Sequence, residues 1–162
     1  MSAPFLVSAC LAGVPCRYDG GAKPDPAIVR AVAEGRALPA CAEVAGGLPT
    51  PRPPAEIRGG DGADVLRGTA RVVTEQGADV TAEFVAGARR VADEAVARGV
   101  RAAVLQPRSP SCGCGRVYDG SFSGGLVDGD GVLAAALRAR GIAVTPHVRS
   151  GRGDSGGAEA PA

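Results

Sequence analysis

The 162-residue chain carries 18 basic against 17 acidic residues, a net charge of +1, which excludes the strong electrostatic footprint of a nucleic-acid or anionic-lipid binder. It is 45% hydrophobic but only 3% aromatic and has no Trp, so its core must be built from Val, Ala and Leu, with little surface for stacking on bases. Lys23 is the sole lysine, which argues against a catalytic-lysine mechanism.

No apolar run approaches the length needed to span a bilayer. The opening Met1-Ser2-Ala3-Pro4 lacks the basic start and apolar centre of an export signal, so the expected compartment is the cytoplasm, where thiols stay reduced. Five cysteines, an odd number, then favour metal-binding or catalytic thiols over a disulfide framework. The length suits a single domain, expected over residues 1–149.

In chain order, Pro4 to Ser8 is a short apolar run suited to a buried strand, followed by Cys10 and a loop through Cys16 to the Asp19-Gly20 turn. Asp25-Pro26 predicts a helix start, with Ile28, Val29, Val32 and Ala33 as its apolar face and Gly35 as its stop. Ala37 to Ala40 is a second strand candidate, directly before Cys41. Residues 46–54 hold four prolines and two glycines and must be irregular. Glu56 to Thr74, with an Asp-Gly turn at 61–62, suits a small hairpin or edge strand.

Thr81 to Arg98 is the clearest helix, capped by Asp79 or Thr81, with Phe84, Ala88, Val91, Ala92, Ala95 and Val96 on one face. The run Val100 to Leu105 reads as a buried strand leading into Arg108-Ser109-Pro110-Ser111-Cys112-Gly113-Cys114-Gly115. A turn-rich stretch, a helix from Gly131 to Arg140 and a last strand, Ile142 to Thr145, follow. The tail 150–162 has the composition of a disordered segment. Alternating strands and helices predict an α/β fold: a single-domain three-layer sandwich around a mostly parallel, Rossmann-like sheet.

Cys10, Cys41 and Cys112 each follow a strand candidate. If those strands are neighbours, the three thiols meet at the C-terminal edge of the sheet, where open α/β folds bind ligands. Zinc-type CxxC pairs are absent, so spacing alone leaves a metal or cluster site, buried inert thiols and a Cys–His enzyme using His147 as open readings. Tyr18-Asp19-Gly20 is echoed by Tyr118-Asp119-Gly120, either as two ordinary turns or as two walls of one pocket.

Four ordered blocks add a resemblance. Ser8-Ala9-Cys10-Leu11-Ala12-Gly13 with Cys16-Arg17-Tyr18-Asp19-Gly20, the run from Cys41 to Arg52, Ser109-Pro110-Ser111-Cys112-Gly113, and Tyr118-Asp119-Gly120 together resemble the DUF523 family over roughly residues 5 to 147. Characterised members of that family are thiouracil desulfidases that carry a [4Fe–4S] cluster and remove sulfur from 2-thiouracil without net redox change. The resemblance implies cluster ligation by Cys10, Cys41 and Cys112, a small thiolated heterocycle as substrate, and hydrosulfide as product. It also implies Glu43 as acid or base, which otherwise reads as a solvated loop carboxylate. Ser109 and Ser111 would face the water or the pyrimidine, and Arg17, Tyr18 and Arg52 would border the pocket.

Three departures stand out. Ala42 takes the place of a usual Pro, Gln106 stands where a Lys is common, and Cys114 is an additional thiol. The rival readings are a non-catalytic cluster or zinc protein and the Cys–His hydrolase. The oligomeric state is left open.

Overall fold

The computed structural model describes residues 3–149, so the expected tail at 150–162 lies outside the described residues. Four short strands form the central sheet: β1 (Phe5–Ser8), β2 (Ala37–Ala40), β5 (Ala102–Leu105) and β8 (Ala143–Pro146), in the order β2-β1-β5-β8 and all parallel. β1 sits between β2 and β5, with Phe5 opposite Ala37, Ser8 opposite Ala40, and Val7 opposite Val104. The chain moves to one side of β1 for β2 and to the other for β5 and β8, which makes the β1/β5 junction the switch point where such sheets bind ligands. Pro39, which cannot donate to a ladder, lies on the edge strand β2, where it is tolerated.

Alternate strand residues feed two cores. Val7 and Ala37 pack with Leu11, Ile28 and Ala31, beneath helix α1 (Pro26–Ala33). Leu6, Ala103, Leu105 and Val144 pack on the other face, against α4 (Thr81–Ala97) and α5 (Val132–Ala139). The expected three layers are therefore present. Phe84, Leu133 and Leu137 are among the large buried side chains of the thicker core, each contributing about 1.5–3 kcal/mol of burial. No helix among the described residues is long and apolar enough to cross a membrane.

The details depart from expectation where local signals were shared between structures. Asp61-Gly62 is a helix start rather than a turn: Asp61 accepts from Asp64 N–H, Asp64 accepts from Asp61 N–H, and α3 (Gly62–Arg67) follows. It separates the antiparallel pair β3 (Ala55–Arg58) and β4 (Arg71–Thr74), which realises the predicted hairpin with a helix as its connection. The turn-rich stretch after Cys114 contains a second antiparallel pair, β6 (Arg116–Tyr118) and β7 (Leu126–Asp128). Strands of three residues are too short to show alternation.

Asp25 caps α1 as expected, accepting from Ala27 N–H at 3.0 Å. On that helix Ala31 is buried while Val29 and Ala33 face solvent. On α4, Gly87 joins the buried face and Val96 does not. Thr81 does not cap α4; its Oγ1 accepts from Val72 N–H at 2.9 Å and so ties the helix to β4.

Gly87 has a specific cause for lacking a side chain. A Cβ there would lie 1.8 Å from the Ala42 carbonyl oxygen, and one at Gly46 would lie 2.0 Å from that of Glu83. These contacts set α2 (Ala42–Ala45) directly on the α4 backbone, without an intervening layer of side chains. Helix propensity favours Ala over Gly by about 1 kcal/mol, but overlap with main-chain atoms cannot be relieved by a rotamer change. Gly87→Ala is expected to lower unfolding free energy by about 2 kcal/mol in urea titrations; an unchanged or raised midpoint would contradict the tight crossing.

Candidate active site

Each of the three parallel strands β2, β1 and β5 ends beside a cysteine. β1 runs into a 3-10 turn, Ala9–Ala12, that carries Cys10. β2 is followed by Cys41, which is the N-cap residue of α2. β5 leads into the loop holding Cys112, whose N–H donates to Ser109 Oγ at 2.7 Å. All three thiols, and that of Cys16 beside them, line one pocket of about 300 Å³ at that edge. The 3-10 turn and α2 were not anticipated, because four residues cannot display a helical period.

The thiols are close enough to govern one another's ionisation. Burial pushes Cys10 up to about 11, against the pull of Arg17 and with added repulsion from Cys41. Burial pushes Cys112 up as well; the Ser8 hydroxyl, 3.1 Å from its Sγ, opposes this, and the charges of Cys10 and Cys41 reinforce it. Cys41 is instead held below the ordinary thiol range, chiefly by a hydrogen bond from the Cys16 thiol, and the same bond pushes Cys16 up. All five cysteines are free.

A single ion needs its donors around one point, and no group of three or more His, Cys, Asp or Glu among the described residues is arranged to hold one. The thiols of Cys10, Cys16, Cys41 and Cys112 instead line one pocket. Soft sulfur donors spaced around a pocket suit a polynuclear iron–sulfur centre, whose irons each take one thiolate.

Glu43, two residues beyond Cys41, also lines the pocket. Its Oε1 accepts from Arg52 Nε at 2.9 Å, and both side chains are largely buried, 16% and 5% exposed. Burial pushes the Glu43 carboxyl up and Arg52 pulls it back. The remaining donors of Arg52 reach the carbonyls of Cys16 (2.8 Å) and Pro49 (3.1 Å) and the Thr50 hydroxyl (3.0 Å). One guanidinium thus fastens the Cys16 loop, the proline-rich segment and Glu43 together.

Arg17, Tyr18, Arg52 and Ser109 line the pocket as expected, and so does Tyr118, which favours the two-walls reading of the repeated Tyr-Asp-Gly. Ser111 does not. It is 2% exposed and absent from the lining, and its carbonyl accepts from Leu133 and Ala134 at the start of α5. The expectation that Ser111 faces the pyrimidine is corrected on that ground: the loop turns it into the base of the helix.

Cys114 is also turned away, with its Sγ 2.9 Å from Arg138 Nη2 and 3.5 Å from the Val144 carbonyl. His147 is 2.7 Å from Asp25 Oδ2 and does not line the pocket, which removes the base that a Cys–His hydrolase requires.

Two contributors lay beyond sequence reasoning. Ser8 accepts from Gln106 N–H at 2.8 Å while donating to Cys112, so it links β1 to the β5 loop. Glu56 accepts from the N–H groups of Gly120 (2.9 Å) and Phe122 (3.1 Å) and fixes the loop that closes the pocket's far side. Ser8 opens the first motif block, but nothing in that block points to Cys112 or Gln106, and a glutamate within a strand carries no motif at all.

Comparison with known proteins accords with this geometry. The family model described as 2-thiouracil desulfurase matches residues 5–147, and the chain belongs to that family. The uncharacterised protein YbbK of Bacillus subtilis (strain 168) is 47% identical over 140 residues, covering 86% of this chain and 93% of that protein. The solved structure of the [4Fe-4S]-dependent thiouracil desulfidase TudS (DUF523Vcz) superposes with a TM-score of 0.79 at 49% identity, covering 90% of this chain and 91% of that one.

The Arg52–Glu43 pair yields a double-mutant prediction. Arg52→Met strands a buried carboxylate and is expected to cost about 3 kcal/mol of stability. Adding Glu43→Gln should recover part of that loss in urea titrations. Strict additivity of the two changes would show that the pair is not coupled.

Proposed function

We propose that this chain holds a [4Fe–4S] cluster on Cys10, Cys41 and Cys112 and removes sulfur from a thiolated pyrimidine such as 2-thiouracil. The observation that carries the reading is the meeting of three thiols from three strand ends in one pocket beside a buried carboxylate. Membership of the 2-thiouracil desulfurase family and the likeness to a [4Fe-4S]-dependent desulfidase support it.

Held by those three thiolates, such a cluster would keep one of its four irons as a sulfur-seeking Lewis acid, while Cys16, which also lines the pocket, is engaged in its hydrogen bond to Cys41. The protein's own groups do the proton work. Glu43, held through Oε1 by Arg52, keeps its second oxygen for a water molecule aimed at the carbon that bears sulfur. It takes a proton as the water adds and returns it as the carbon–sulfur bond breaks. Ser109 Oγ accepts from Cys112 N–H, so its own proton is available to orient the water or the base. Arg17, Tyr18 and Tyr118 wall the pocket and limit access of bulk water.

The reaction consumes one water, replaces C=S by C=O, and releases hydrosulfide and a proton with no net transfer of electrons. We place the protein in the cytoplasm, whose reducing conditions suit five free thiols.

Assays under anaerobic conditions with 2-thiouracil in heavy-oxygen water test the reaction. Hydrosulfide and uracil should form in equal amounts, with one solvent oxygen in the uracil. Glu43→Gln should lower kcat by roughly 10²- to 10⁴-fold while keeping its iron. Full activity in that variant would remove Glu43 from the proton path, and uracil without solvent oxygen would refute hydrolysis.

A further inference from the structure

Besides the paired Glu43 and Arg52, the buried polar residues Ser8, Glu56 and Gln106 line the pocket. The Ser8 hydroxyl and the Glu56 carboxylate have their partners within the protein. Gln106 differs. It is 8% exposed, its backbone N–H is held by Ser8 at 2.8 Å, and its carboxamide makes no hydrogen bond among the described residues.

No side-chain nitrogen or oxygen among those residues is both fully buried and without a partner. The carboxamide therefore retains access to the pocket interior. A group of this polarity, more than nine-tenths buried, is costly unless a ligand completes its hydrogen bonds.

We propose that Gln106 is a specificity residue that reads the hydrogen-bonding edge of the heterocycle beside its sulfur-bearing carbon. A carboxamide presents one acceptor and one donor side by side. It therefore matches a ring edge that offers an N–H next to a C=O, as uracil-type bases do, with two parallel hydrogen bonds. Rotated by half a turn, the same group matches the cytosine-type edge of a ring nitrogen next to an amino group.

The tether explains its placement. Ser8 Oγ contacts both the Gln106 N–H and Cys112 Sγ, so the reader is fixed relative to a thiol that would hold the cluster. The ligand class is thus a six-membered heterocycle carrying a donor–acceptor pair adjacent to the thiocarbonyl. This inference rests on the reading of the pocket as a thiopyrimidine site.

Calorimetry on the cluster-loaded protein, with sulfur-free bases as probes, tests the edge without needing turnover. Wild type should bind uracil and cytosine about tenfold more tightly than pyrimidin-2-one, which lacks the group at ring position 4. Gln106→Met, which keeps the length of the side chain and loses its polarity, should bring the three bases within about twofold. Gln106→Leu provides a second apolar variant should the first misfold, with iron content and circular dichroism confirming an intact protein.

In turnover assays Gln106→Met should raise KM for 2-thiouracil about tenfold and leave KM for pyrimidine-2-thione nearly unchanged. A wild type that binds all three bases alike, or an apolar variant that keeps the full preference, would overturn the role of Gln106. Failure of every thione to release hydrosulfide would instead sink the proposed reaction, and the calorimetric ratio would still decide on Gln106.

Discussion

The parallel pairing of β1 with β2 on one side and β5 on the other is the constraint on which the rest depends. Parallel strands all end at the same edge, so residues distant in sequence arrive together without any local motif. Cys10, Cys41 and Cys112 are neighbours only because of that register. A slip of one residue would exchange the two cores, since Leu6 and Val7 face opposite layers. The hydrophobic pattern of a four-residue strand therefore also determines which way the thiols point.

Edge geometry brings the groups close, and a small set of polar contacts then holds them in place. Arg52 connects Glu43, the Cys16 carbonyl and the Pro49–Thr50 segment. Ser8 connects β1 to both Cys112 and Gln106. Glu56 restrains the Gly120–Phe122 loop across the pocket. These contacts lie in a largely desolvated site, where a charge-assisted hydrogen bond exceeds its surface counterpart and where losing one partner is costly. The bare packing of α2 on α4 through Gly46 and Gly87 serves the same end, because α2 carries Glu43 and begins at Cys41.

Much of this was legible in the sequence. The strands before the cysteines, the long helix α4 and the α/β order followed from apolar runs, caps and glycine stops, and the three thiols were selected by their place after strands. The features without a sequence signal are short or non-local. The four-residue α2 and the three-residue β6 and β7 have no period to read. Asp61-Gly62 carries a signal that turns and helix starts share, and only the reciprocal bond with Asp64 decides between them. Ser111 adjoins Cys112 in sequence yet is buried outside the pocket lining, because neighbouring loop residues point in different directions. Ser8 and Gln106 stand out in the sequence, but their contacts, like that of Glu56, span 64 to 104 residues, which no local pattern encodes.

The account stands on three thiols holding one cluster, and metal analysis of single cysteine variants addresses that most directly. Iron and acid-labile sulfide would be measured per chain after anaerobic reconstitution of wild type and each of the five Cys→Ser variants. Wild type, Cys16→Ser and Cys114→Ser are predicted to retain about four of each, whereas Cys10→Ser, Cys41→Ser and Cys112→Ser should lose most of both. Zinc in place of iron, or an undiminished cluster in Cys112→Ser, would contradict it.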